Sequence, residues 1–234
     1  MARRPRRNVR RKPKRKTQTK GMIYNPRQGF GPLGKSFIAT FNYSETVVID
    51  PVTSESGDHV FSANGIAKPD YSNSGNTHQP YGTDQLTPFF DHYTVVGSKC
   101  SVKAISGQIG LPCCLGLALK DAATEINTSA KALRERGGTQ LRLMAPVGGG
   151  ANKQMISRTY SAKKFHGKAN VVGESELRGN TSAISDYANN PTEQAFYHVV
   201  VAPQHQGDNV GAQIVQVDIS YTVVFTEPKV LASS

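Results

Sequence analysis

Val215, Val217, Ile219, Tyr221, Val223 and Phe225 alternate with Gln216, Asp218, Ser220, Thr222 and Val224. A period of two predicts a strand with one face in a core and the other in water. The same alternation runs through the first third of the chain, where Phe37, Ala39, Phe41 and Tyr43 interleave with Ser36, Ile38, Thr40, Asn42 and Ser44 ahead of Val47, Val48 and Ile49. Further strands are expected over 93–106, 113–119, 140–144, 155–164 and 196–202, with a weaker one near Val60, which makes about eight. Helix is scarce. SAKALRER (129–136) offers Ser129 as an N-cap and Gly137 as a stop, and DQLTPFFDHY has room for one turn before Pro88. The connections are long and polar: SNSGNTHQPYGT (72–83), APVGGGANK (145–153) and VVGESELRGNTSAISDYANNPTE (171–193). Loops beyond about 12–15 residues are unusual without a use, and at the ends of a sandwich they suit subunit contacts or an exposed outer surface. No internal repeat is visible.

Charge changes the picture. Residues 1–20 hold Arg3, Arg4, Arg6, Arg7, Arg10, Arg11, Lys12, Lys14, Arg15, Lys16 and Lys20 and no acid, so eleven of the twenty-eight Lys and Arg stand there. The remaining seventeen match the seventeen Asp and Glu, and the whole net charge of +11 resides in this arm. With Pro5, Pro13 and almost nothing apolar, such a segment is expected to stay disordered until a polyanion, most simply nucleic acid, neutralises it. Its Arg/Lys runs also have the form of a nuclear localisation signal, which would engage nuclear import machinery. A secretory signal would need an apolar stretch after the charges, and a mitochondrial one an amphipathic, Ser-rich helix; neither is present. No run approaches the ~20 apolar residues of a membrane span, so a soluble chain without membrane insertion is expected. Length allows one sizeable domain. The division expected is 1–35 as arm and Gly/Pro hinge, 36–228 as the β domain and 229–234 as a tail. An all-β, eight-stranded jelly-roll sandwich fits this outline, while composition also permits an OB-fold or another β-sandwich.

Several motifs invite chemistry. GFGPLGKS (29–36) satisfies G-x-x-x-x-G-K-[ST] with Gly29, Gly34, Lys35 and Ser36, but a phosphate-binding loop needs a buried strand before it and a helix directly after. Here a polar segment precedes and a strand pattern follows, so a Gly/Pro loop opening the first strand is preferred. The six histidines lack metal-ligand spacing, and no cofactor is expected. Asp91, His92 and Ser98 lie on one short segment rather than at converging loop ends. Asp208 and Asn209 read as a turn more simply than as a calcium site. Cys100, Cys113 and Cys114 have no C-x-x-C spacing and are expected as small apolar residues in strands of a protein assembled in a reducing compartment. No enzyme emerges. Binding chemistry is better supported: SRTYSAKKFHGK (157–168) sets Arg158, Lys163, Lys164 and Lys168 among Tyr160, Phe165 and His166, a mixture of cations and aromatic faces suited to single-stranded nucleic acid. The same residues also fit a strand's solvent face and core.

FFDHYTVVGSKCSVKAISG (89–107), ISRTYSAKKFHG (156–167), NPTEQAFYHVVVAP (190–203) and VDISYTVVFTEP (217–228) resemble, in this order and spacing, blocks of the capsid proteins of viruses with circular, Rep-encoding single-stranded DNA genomes, the circovirus-like group. The resemblance spans most of residues 36–228. It implies a jelly-roll subunit, an icosahedral shell of about sixty copies, arms turned inward on a single-stranded DNA genome, and a life divided between virion and host nucleus. It also implies that the block from Arg158 to Lys168 lines the inner surface, and that the loops after Val52 and Val147 face outward or form subunit contacts. A monomeric nucleic-acid-binding module of ribosomal or OB-like type is the alternative, and an NTPase the third.

Overall fold

The computed structural model describes residues 34–51, 55–73, 78–106, 111–135, 137–146, 152–181 and 189–230. Eight substantial strands form: β1 (Ser36–Ile49), β2 (Gly57–Ser62), β3 (Phe90–Ile105), β4 (Cys113–Lys120), β5 (Thr139–Met144), β6 (Lys153–Ser161), β8 (Phe196–Pro203) and β9 (Gln213–Pro228). A two-residue strand, β7 (Gly179–Asn180), pairs with β3 at His92 and Tyr93. Three short helices, α1 (Thr83–Leu86), α2 (Ala130–Glu135) and α3 (Ala162–Phe165), sit in the connections. None of the described helices is long and apolar enough to cross a membrane.

The strands form two antiparallel sheets, ordered β1-β9-β3-β6 and β2-β8-β4-β5. Their pairings nest: β4 with β5, β3 with β6, β2 with β8 and β1 with β9. A long hairpin rolled up on itself gives this order, and it is that of a jelly roll, as the strand pattern predicts. OB-fold topology is excluded by it.

The alternating strands all lie in the first sheet. Phe41, Tyr43, Val47 and Ile49 of β1 and Val215 to Phe225 at odd positions of β9 point inward and are buried. They meet Leu115 and Leu117 of β4 and Tyr197, Val199 and Val201 of β8 from the second sheet. Strands β4 and β8 do not alternate, because both of their faces are covered. Ile126, Ala130 and Leu133, from the segment after β4, pack on the outward Cys114, Ala118, Val200 and Ala202. Continuous apolar runs are what burial on both faces requires. Ser129 caps α2 as expected, its Oγ accepting the Ala132 N–H at 3.3 Å, and Gly137 and Gly138 beyond it are left-handed, with φ of 67° and 72°.

Buried hydroxyls join the sheets. Tyr197 Oη lies 3.0 Å from Ser98 Oγ and accepts the Tyr160 N–H at 3.0 Å, while Tyr221 donates to the Ser62 carbonyl at 2.7 Å. The connection 171–193 is more than a loop, holding a 3-10 turn (Ser175–Leu177) and β7. Gly179 is required there, since a Cβ would stand 2.2 Å from the Tyr93 ring.

These faces differ sharply in what a substitution costs. Phe225→Ala should lower the unfolding free energy by about 3–5 kcal/mol, and Thr222→Ala, on the wet side of the same strand, by no more than about 0.5 kcal/mol. Urea unfolding of the two variants measures both; equal losses would contradict the assignment of faces.

Candidate nucleic-acid interface

Arg3, Arg4, Arg6, Arg7, Arg10, Arg11, Lys12, Lys14, Arg15, Lys16 and Lys20 lie outside the described residues, as do Gly29, Val52 and Val147. From Gly34 the chain leads through Lys35 into β1, whose first residue, Ser36, pairs with Thr226 of β9. A strand therefore begins directly after Lys35, where a phosphate-binding loop requires a helix.

The block 157–168 divides into parts with separate tasks. The strand expected to reach Lys164 ends at Ser161, and Ala162–Phe165 turns into α3. Ala, Lys and Lys in succession favour helix over strand. Arg158 lies on the inward side of β6, where its guanidinium donates to the carbonyls of Gly138 and Leu117, clasping the edge of one sheet to the other. Tyr160 is core rather than a stacking platform: it is 1% exposed and its hydroxyl lies 3.0 Å from His166 Nε2. Burial lowers the pKa of His166 against the pull of Glu193, with Lys168 acting in the same direction as burial. Lys168 stands 3.3 Å from Glu174 and 3.8 Å from Glu176. The hydrogen bond to Glu174 raises its pKa, and both carboxylates add to this. Lys163 and Lys164, by contrast, are exposed.

Strand register assembles another set of cations that are scattered in sequence. Side chains at even positions of β1, β6's odd positions, and their partners on β9 and β3 make the outer face of the β9 sheet. One row runs Asn42, Ser220, Lys99, Thr159; the next Ser44, Asp218, Ser101, Ser157; the next Thr46, Gln216, Lys103, Met155. Val48 then pairs with Ile214, and Ile105, following the partner of Val215, stands beside them and opposite Lys153. Asp218 is the carboxylate of this face. It accepts from Ser44 at 2.7 Å, Lys103 at 3.0 Å and Gln216 at 3.2 Å. Burial pushes its pKa up, but the hydrogen bonds from Ser44 and Lys103, the Lys103 charge and the Gln216 contact outweigh burial and hold it below the ordinary value.

The other sheet hides its outer face. Beneath the segment that carries α2, His198 Nδ1 lies 3.0 Å from Asp58 Oδ2 and its Nε2 donates to the Ala122 carbonyl at 2.8 Å. Asp58 also accepts the Ile126 N–H at 2.9 Å, and both side chains are almost wholly buried. This pair pins the covering segment to β2 and β8, a structural task that no spacing in the sequence announces.

The catalytic readings do not assemble. Asp91 is exposed, His92 faces Glu227 at 3.4 Å, and Ser98 Oγ is buried and donates to the Ala63 carbonyl at 2.6 Å. Asp208 and Asn209 form a turn, with Asp208 N–H donating to the His205 carbonyl at 3.3 Å and Asn209 Oδ1 accepting the Gly211 N–H at 3.0 Å. Among the described residues no three His, Cys, Asp or Glu come together as a metal site. A cleft of about 450 Å³ brings His166 beside Glu193, and one of about 220 Å³ brings His59 beside Asp70; neither is lined by a Ser or Cys. Cys100, Cys113 and Cys114 are unpaired and buried in β3 and β4, as expected, and burial pushes the Cys113 thiol up to about 11.

The fold and this face define a jelly-roll sandwich with one covered and one open sheet. No family model matches the sequence, and no curated protein is similar to it. Solved structures similar in fold include the decameric BFDV capsid protein, 9% identical over 81% of this chain and 99% of that one, with a TM-score of 0.45. Mud crab tombus-like virus is 13% identical over 99% of this chain and 96% of that one, at 0.42. The empty head of turnip yellow mosaic virus is 12% identical over 87% of each chain, also at 0.42. Likeness at that level bears on neither activity nor partners.

The depressed pKa of Asp218 fixes a pH dependence. Its contribution to stability is present above the unfolded value, ordinarily 3.8, and is lost as pH falls through the lower folded one. Because the pair is partly exposed, Asp218→Asn should cost no more than about 1 kcal/mol at neutral pH. Thermal unfolding from pH 7 to pH 2.5 should show the gap between wild type and variant closing below about pH 4; a gap that widens there would contradict the assignment.

Proposed function

We propose that this chain is the coat subunit of a small virus, whose jelly roll builds an icosahedral shell and whose arm packages single-stranded DNA. The observation that carries the reading is the division of charge: +11 within residues 1–20 and none, net, in the other 214. A body that must pack against many copies of itself is served by neutrality, since like charges on each subunit would repel. A segment that must hold a polyanion is served by eleven cations and no acid. A closed shell of about sixty subunits brings about 660 such charges inside, enough to offset a substantial part of a small genome.

Gly29 to Ser36 then serves as the hinge between arm and shell, with its glycines and Pro32 letting the chain turn into β1. DNA rather than RNA, and passage through the host nucleus by its import machinery, rest on the four sequence blocks and on the basic runs. Within the block 157–168, Lys163 and Lys164 are the cations with the exposure that phosphate contact needs; Arg158 and Lys168 have protein partners that they would have to leave. A monomeric nucleic-acid-binding module is the second reading; it accounts for the arm but gives a broad neutral sandwich no task.

Binding of the full-length chain to a thirty-nucleotide oligo(dT), followed as salt is raised, tests the arm. The slope of log K against log salt should approach about −8 if every arm charge meets a phosphate. Replacing Arg3, Arg4, Arg6 and Arg7 by Gln should flatten it by about 3. An affinity nearly independent of salt would contradict the reading.

A further inference from the structure

We infer that the open outer face of the β9 sheet is a second contact surface for single-stranded nucleic acid; this rests on the arm's proposed role as the packaging element. Three observations carry it. First, the two sheets are treated differently: the β8 sheet is covered by the chain's own segment around α2, whereas the β9 sheet leaves open its rows from Asn42 to Val48, although Thr94 and Val224 further along are buried. Second, the chemistry of that bare face is complementary to a polyanion. Over the rows from Asn42 to Val48 its ionisable groups are Lys99, Lys103, Lys153 and Asp218, with His92 facing Glu227 at the far end, and Asp218 is engaged by Lys103, which leaves Lys99 and Lys153 exposed among serine and threonine hydroxyls. Ammonium and hydroxyl groups are the donors that take phosphate oxygens. Third, cations flank the face at one edge: β6, an edge strand, runs at Ser161 into the exposed Lys163 and Lys164.

The face also has an apolar row, Val48, Ile214 and Ile105, at 64%, 62% and 55% exposure. Apolar side chains pack against an extruded base once its backbone is held. A second copy of this chain is the rival occupant. Lysine is depleted from the centres of subunit interfaces, and two copies meeting here would bring Lys99 and Lys153 into a closed, uncompensated contact, whereas phosphate would neutralise them.

Lysine acetylation of the full-length chain, stripped of nucleic acid and read by mass spectrometry with and without oligo(dT), tests the inference. Labelling of Lys99 and Lys153 should fall severalfold on adding the oligonucleotide, while Lys131, exposed on α2 over the opposite sheet, keeps its reactivity. Lys99→Thr/Lys153→Thr in the full chain should flatten the salt slope by about 1.4 with an unchanged unfolding midpoint. Protection confined to Lys12, Lys14, Lys16 and Lys20, or an unchanged slope, would overturn the inference and leave the arm's role standing. Protection of no lysine would overturn both. If Lys99 and Lys153 were already shielded in assembled protein free of nucleic acid, the face would be a contact between copies and the inference would fail.

Discussion

The pairing of β9 with β1 on one side and β3 on the other is the constraint on which the rest of the structure depends. β9 alternates from Gln213 onward, and its partners keep step with it along almost their whole length. Register matters because a slip of one residue would turn every inward Val, Ile, Tyr and Phe of a strand toward water. With that phase set, Phe41 and Tyr43 meet Tyr221 and Phe225 within one core, and Ser98 is placed to meet Tyr197 from the other sheet. The one irregularity, a bulge between Val95 and Gly97, falls where β6 gives way to α3 at the sheet's edge.

The two sheets then diverge in purpose. On the β8 side, apolar residues face both ways and the chain supplies its own cover, fastened by Asp58 and His198. On the β9 side, the rows from Asn42 to Val48 stay open, and the surface there is made of hydroxyls, amides, three lysines, Asp218 and an apolar row. Neutral where subunits would meet and basic where a polyanion would lie is an economical division for the coat subunit we propose.

Much of this was legible in the sequence because its physics is local. Alternation marked β1 and β9, β4 and β8 were expected as strands though not as strands buried on both faces, and Ser129 with Gly137 marked a helix. The β domain, the jelly-roll outline and the strand after Lys35 follow from such signals. What was not legible depends on partners distant in sequence. Lys153 joins Lys99 and Lys103 on one face only through the β3–β6 register, and the pair formed by Asp58 and His198 spans 140 positions. The block 157–168 looked uniform because composition does not tell an inward Arg158 or a carboxylate-paired Lys168 from the exposed Lys163 and Lys164. The end of β6 was set one helical turn too late for the same reason: Tyr160 and Phe165 both suit a strand, and only the local preference of Ala162 to Lys164 decides.

Electron microscopy of the purified full-length chain, with nuclease treatment before imaging, tests the central claim most directly. Closed shells of one size that retain nuclease-protected nucleic acid are the predicted result. A chain that stays monomeric across salt and pH, binding nucleic acid that nuclease removes, would contradict the account of a shell subunit.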